Sequence, residues 1–368
     1  MHIDRDLPQR DLQEILAATA PFWDEARGES IFVTGGTGFF GRWLLESFAY
    51  LNASLSLDAR LVVLTRDAES FRRKAPSLAA NAAISFVEGD VRSFNRETVQ
   101  EQLGAAAPPR FRFVVHAATA VSGAGAYDSL KAVETIVDGT RAALAFALAS
   151  GTERFLFTSS GAVYGPQPAD VHHITEAHNI APDPMLPASA YGEAKRLGEV
   201  LCACAHHEHH LVTTVARCFA FVGPHLPLDA QFAVGNFLRD ALDNRAIAIS
   251  GDGTAQRSYL YASDLAIALW TILFRGAPAR AYNVGSEEAV SLRNVAAKIA
   301  ASQQPPLPVN VARSPIRGAP VQRYIPSIAR LERELGFTQR VQLDEAIART
   351  LAWHRSQAED FRKSAGNP

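Results

Sequence analysis

Cysteine is scarce: three residues, Cys202, Cys204 and Cys218, in a chain of 368. That number cannot staple so long a chain and fits a reducing compartment. Long apolar runs are also missing, and none approaches the roughly 18 residues that a bilayer-spanning helix needs. The opening stretch MHIDRDLPQRDLQEIL mixes acidic, basic and apolar residues, with no basic patch leading an apolar one, so no signal peptide is expected. An excess of either charge is lacking too: 36 Lys and Arg face 38 Asp and Glu, for a formal net charge of −2. Such a balance supplies no field for nucleic acid or an anionic membrane. A cytoplasmic protein with neither kind of partner is the expectation.

What the chain does have is apolar material, 48% of its residues, against 20% charged. That is enough for a large core, in one α/β domain or two lobes. Residues 10–27 read as an amphipathic preface, broken near Pro21 and expected to pack on the outside of the main domain. From Ser30 strand-like runs alternate with helix-like ones. The strands are IFVT, RLVVLT, AISFVEG, FRFVVHAA, RFLFTSS and LVTTVARCFAFV, and the helices fill 39–52, 126–150 and 188–207. Unbroken Val/Leu/Phe runs are what strands buried on both faces show. The alternation predicts a parallel sheet wrapped by helices on both sides. After Gly223-Pro224 the rhythm breaks into short helices, turns and the proline-rich QQPPLPVNV. The expected architecture is therefore a Rossmann-type doubly wound parallel sheet with a smaller, discontinuous C-terminal substrate lobe. In it, 1–29 is a helical extension, 30–222 with returning segments about 258–286 forms the sheet domain, and 223–257 with 287–368 forms the lobe.

Gly35, Gly38 and Gly41 follow the strand IFVT and open the helix FFGRWLLESF with GxxGxxG spacing. The first glycine permits a tight turn, the second lets a pyrophosphate approach the backbone, and the third lets helix and strand pack closely. The helix N-terminus then offers free N–H groups and its positive dipole end. A dinucleotide is expected on Gly35, Thr37, Gly38, Phe39, Phe40 and Gly41. Thr65 stands at the end of the second strand, where an acidic residue would hold the ribose of NAD, and Arg66 follows it. A guanidinium there suits a 2′-phosphate, so NADP(H) is favoured over NAD(H), although Asp67 lies close by. Asp90 in EGDV is expected to accept from the adenine amino group, beside Val91. Small Ala117 and Ala118 leave room for the cofactor.

Tyr191 and Lys195, four apart in SAYGEAK, share one face of a predicted helix. With TGGTGFFG, HAAT, SSGAVYG, GDGTAQRSYLYASDLA, YNVGS and ARLERELGF, this stretch resembles the extended short-chain dehydrogenase/reductase family, which works on nucleotide-linked sugars. The resemblance runs from about Ser30 to about His354. It implies that Tyr191 is the acid/base on a sugar oxygen and that Lys195 steadies the phenol and holds the nicotinamide ribose. Ser160 would hydrogen-bond the same sugar oxygen. A phenol with pKa near 10 needs such a neighbouring cation to work at neutral pH. It further implies that Arg257 and Arg317 bind the substrate diphosphate, with Asn236 at a helix start beside it.

Departures narrow the reaction. Relatives that eliminate water carry Asp-Glu immediately before VYG, whereas this chain has Gly161-Ala162, which move no proton. Ile136 and Ala220 stand where the family often has asparagine, and Ser258 where it often has aspartate. The resulting expectation is reduction of a 4-keto sugar with NADPH. The alternatives are a 4-epimerase with tightly held NAD and, in another class, a non-catalytic dinucleotide sensor or scaffold. Helices 126–150 and 188–207 are apolar enough for an intersubunit bundle, and a homodimer is expected. The tract CACAHHEHH (202–210) alternates without the fixed frame a tetrahedral ion needs, so no metal is assigned. His172, His173 and His178, in the loop before Tyr191, are read as solvated.

Overall fold

The computed structural model describes residues 5–119, 128–230 and 232–365. Its strands are β1 (Ser30–Thr34), β2 (Arg60–Thr65), β3 (Ile84–Glu88), β4 (Phe113–His116), β5 (Arg154–Ser160), β6 (Val212–Cys218), β7 (Phe221–Val222), β8 (Ile247–Ile249), β9 (Gln256–Arg257), β10 (Leu260–Tyr261), β11 (Arg280–Val284), β12 (Val290–Ser291), β13 (Val309–Val311) and β14 (Arg323–Tyr324). The helices are α1 (Gln9–Thr19), α2 (Phe39–Ser54), α3 (Ala68–Lys74), α4 (Pro76–Ala79), α5 (Arg96–Leu103), α6 (Ser129–Ala149), α7 (Ala190–His209), α8 (Ala233–Leu242), α9 (Ala262–Arg275), α10 (Leu292–Ala301), α11 (Ala329–Leu335) and α12 (Leu343–Ala365).

Seven strands form one parallel sheet in the order β11-β6-β5-β4-β1-β2-β3. The order reverses at β1, and ligands of open α/β sheets bind at such a switch point, beyond the carboxyl ends of the strands. Alternation along β1 divides the core. Ile31 and Val33 join the layer of α2 and α9, while Phe32 joins Ala143, Phe146 and Cys202 of α6 and α7 on the opposite face. The smaller lobe holds a three-stranded sheet, β12-β9-β14, and a pair, β13-β8, with α8 and α10.

Three expectations change in detail. The run LVTTVARCFAFV is two strands: β6 ends at Cys218, and β7 leaves the main sheet to pair with β10. The helix read over 126–150 is described from Ser129, with 126 and 127 outside the described residues. The N-terminal preface does not merely coat the domain. All residues of helix α9 from Ala262 to Phe274 are buried, which requires a cover beyond the sheet. The preface supplies it: Trp23 is fully buried, with its ring 4.8 Å from Trp270 and 5.1 Å from Phe274. Asp11 on α1 reaches Tyr261 (2.7 Å) and Arg349 of α12.

Candidate active site

The glycine-rich turn joins β1 to α2 at the switch point. Gly35 has φ +74°, and a Cβ there would stand 2.5 Å from the backbone of Ala117 and Ala118, so the turn lies directly against the end of β4. A Cβ on Gly38 would meet only the Gly35 carbonyl, at 3.6 Å, leaving that side open. A Cβ on Gly41 would fall 2.2 Å from the Gly36 backbone, so the third glycine seats the helix on the turn itself rather than on a strand. Gly38 caps α2 without a side chain, leaving the first-turn N–H groups for an anion. The cradle therefore fits a dinucleotide diphosphate.

Beneath the turn lies a network that the sequence reading passed over. The Thr140 hydroxyl donates to the Ile136 carbonyl (2.6 Å) and so accepts from His116 Nε2 (3.3 Å). His116 Nδ1 then accepts from the Thr34 hydroxyl (2.7 Å), whose oxygen accepts from the Ala118 N–H (3.3 Å). Burial lowers the His116 pKa to about 3, so the ring is neutral. Gly36 also escaped notice; a Cβ there would stand 2.7 Å from Val63.

Just past the end of β2 Arg66 is exposed and Asp67 is engaged: its carboxylate caps α3 by accepting from Ser70 N–H (2.7 Å). Both oxygens of Asp90 are held by Arg92, at 3.0 and 2.7 Å, and its carboxyl is lowered to about 2 chiefly by that side-chain bond. The expected adenine acceptor is thus already paired. Val91 packs near Gly139 of α6.

The strand end of β5 and the face of α7 meet on the other side of the turn. Ser160 Oγ accepts from the Ala162 N–H (3.1 Å). Lys195 is 1% exposed. Its ammonium donates to the Thr158 carbonyl (2.7 Å) and lies 4.8 Å from the Phe157 ring centre and 5.9 Å from that of Tyr191. Burial lowers its pKa to about 8. The contact of α7 with β5 thus sets Lys195 and Tyr191 of α7 beside the strand that ends in Ser160.

The smaller lobe contributes a residue that sequence reading missed. Tyr324 on β14 sets its hydroxyl 3.5 Å from Ser160 Oγ and its ring 4.7 Å from Phe219. Burial pushes its phenol far above the ordinary value, the Ser160 bond pulls against this, and Tyr191 adds to it. Its neighbours explain the glycine at 161: a Cβ there would stand 2.7 Å from both the Phe219 ring and the Tyr324 oxygen. Arg257, the register partner of Tyr324, lies 6.0 Å from its ring centre. Asn236 is half-buried on α8, and Arg317 is exposed on the loop between β13 and β14.

Three histidines make local contacts. His173 Nε2 contacts the Glu287 carbonyl (2.9 Å), His178 Nδ1 the Thr175 hydroxyl (2.9 Å), and His206 Nδ1 the Leu211 carbonyl (2.9 Å). Cys202 and Cys218 are buried and Cys204 is exposed. Among the described residues no group of three or more His, Cys, Asp or Glu converges as a metal site, and no helix is long and apolar enough to cross a membrane.

A parallel sheet in this order, with a glycine-rich turn at its switch point and Ser160, Tyr191 and Lys195 on the neighbouring β5 and α7, defines a dinucleotide-dependent enzyme of the extended short-chain dehydrogenase/reductase type. Residues 31–285 match the model of the NAD dependent epimerase/dehydratase family, and the chain belongs to that family. It is 30% identical over 242 residues to UDP-glucuronic acid decarboxylase 6 of Arabidopsis thaliana, covering 66% of this chain and 67% of that one. It is 26% identical over 329 residues to a dTDP-glucose 4,6-dehydratase of Streptomyces niveus, covering 88% and 92%. Among solved structures, an epimerase from Methanothermobacter thermautotrophicus superposes with a TM-score of 0.76 at 24% identity, over 95% of this chain and 98% of that one.

Proposed function

We propose that this enzyme reduces the 4-keto group of a nucleotide-diphosphate sugar at C4, with Tyr191 as the acid. The observation that carries the reading is the ammonium of Lys195, sealed from solvent against the Tyr191 ring and next to the Ser160 strand end. A charge kept in so costly a place lowers the work of ionising a phenol. Tyr191 gives its proton to the C4 oxygen while Ser160 donates a hydrogen bond to that oxygen. Lys195 stabilises the phenolate left behind and holds the ribose. When bound, the nicotinamide supplies the hydride.

Gly161 and Ala162 favour reduction over loss of water, since neither exchanges a proton and the space beside 161 is filled by Phe219 and Tyr324. Exposed Arg66, with Asp67 committed to capping α3, favours NADP(H) over NAD(H). Arg257, Arg317 and Asn236 are assigned to the diphosphate of the substrate. A homodimer is assigned to the α6 and α7 face, where Leu148, Leu197 and Val200 are 38%, 44% and 54% exposed. The cytoplasm is the assigned compartment. The family's dependence on NAD supports a second reading, a 4-epimerase that retains its cofactor.

Denaturing the purified protein and assaying the supernatant for dinucleotide separates the two. The reductase reading predicts little released NAD, and consumption of added NADPH with a 4-keto sugar nucleotide. Stoichiometric NAD and no NADPH consumption would count against the reductase.

A further inference from the structure

Residues before Ile31 lie outside the span of the family model, yet they bind the helix that carries the phosphate turn. The Leu7 N–H donates to Glu46 of α2, and the Trp353 indole of α12 donates to the Asp6 carbonyl (3.1 Å). Arg349 of α12 pairs with Asp11 and Glu14 of α1. The N-terminal segment is thus a strap between α2 and α12.

Glu46 is where the strap meets the turn. Its other oxygen accepts from Arg42 Nη2 (2.9 Å) and lies 3.1 Å from His225 Nε2. Arg42 and Glu46 are 3% and 4% exposed in their side chains. Arg42 directly follows Gly41. It shares a cavity of about 280 Å³ with Thr37, Gly38, Phe39, His225 and Trp353. His225 sits at φ +67°, a left-handed conformation that a non-glycine residue keeps only when its surroundings hold it. Here they do: Glu46 holds its ring, and the Trp43 indole holds the preceding Pro224 carbonyl (3.0 Å).

A buried ion pair is a poor way to add stability, because an apolar pair of equal volume does as well or better. What this pair fixes is geometry. We propose that Glu46 is a positioning residue for the phosphate turn. Set by the Leu7 N–H, it clamps Arg42 and His225 and so holds the first turn of α2 against the 223–228 loop as the dinucleotide diphosphate requires. The proposal rests on reading the glycine turn as the diphosphate site.

The test is calorimetric titration of the full chain with NAD+ and NADP+, and separately with UDP, alongside thermal melting. Glu46→Gln is expected to raise the Kd of both dinucleotides about tenfold and to leave UDP within about twofold. Leu7→Pro, which deletes the N–H, moves the dinucleotides the same way, and Leu7→Ala, which keeps it, does not. The paired change Arg42→Met with Glu46→Leu removes the buried charges together. Because no unpaired charge is left behind, it is expected to melt no lower than Glu46→Gln, and still to bind dinucleotide about tenfold more weakly. Recovery of both melting and affinity in that pair, or wild-type affinity in Glu46→Gln, overturns the proposal. Gly38→Asp places a carboxylate at the diphosphate. If it binds dinucleotide normally, the site reading falls and the proposal with it. If it abolishes binding while the Glu46 variants bind normally, the positioning role alone falls.

Discussion

Replacing Lys195 by Met should make the protein more stable at neutral pH while destroying its activity. The unfolded lysine keeps its proton up to its ordinary 10.5, but the folded one only to about 8, because burial disfavours the ammonium. Between those values unfolding takes up a proton, so stability rises with pH, and below 8 the folded state carries the full penalty. At about 1.36 kcal/mol per pH unit the penalty is roughly 3 kcal/mol. Methionine fills a similar volume without charge but forfeits the hydrogen bond to the Thr158 carbonyl, a loss of about 1 kcal/mol. Lys195→Met is therefore expected to gain about 2 kcal/mol at pH 7 and to lose about 1 kcal/mol above pH 10.5. Urea unfolding of both proteins at pH 7, 8.5 and 10.5 measures this, and using the difference between them cancels the titrating groups that do not feel the Lys195 charge. A variant less stable at pH 7, or a difference that does not change with pH, refutes the reasoning. Such a residue is what a function-driven compromise looks like.

Other outcomes follow from the same contacts. Gly41→Ala drives a Cβ to 2.2 Å from the Gly36 backbone, so it should cost about 3 kcal/mol in urea unfolding and abolish dinucleotide binding by calorimetry. Trp23→Ala leaves α9 uncovered and should cost about 3–5 kcal/mol, read as a lower urea midpoint. Arg66→Ala should weaken NADP+ by about 10- to 100-fold, the worth of a charge-assisted bond, and leave NAD+ within about twofold. Val200→Asp with Leu148→Asp should shift the protein from dimer to monomer in sedimentation, and an unchanged mass would remove the α6–α7 face from the assembly.

The sheet was legible because its signals are local. Continuous apolar runs mark buried strands, and three glycines at fixed spacing mark the one turn that must lie against β4. Tyr191 and Lys195 were legible for the same reason, being one helical turn apart. Tyr324 was not, since 164 positions separate it from the Ser160 it meets, and only the pairing of β14 with β9 carries it there. The contacts of the strap were not legible on similar grounds. An amphipathic segment at the end of a chain reads as a surface helix, and nothing local reveals that Asp11 will meet Arg349, 338 positions away. His116 looked like a strand residue; its role depends on Thr34 and Thr140, which only the β1–β4–α6 packing assembles. Glycine at 161 was read as the loss of a proton-transfer group. The structure adds that Phe219 and Tyr324 fill the space a side chain would need.

The central claim is hydride delivery to a sugar carbon governed by one phenol, and isotope transfer tests it most directly. Wild-type protein incubated with NADPH deuterated at the transferring position and a 4-keto sugar nucleotide should yield a product one mass unit heavier, labelled at C4, while Tyr191→Phe binds the dinucleotide normally and forms none. Label absent from the wild-type product, or equal labelling by Tyr191→Phe, would contradict the account.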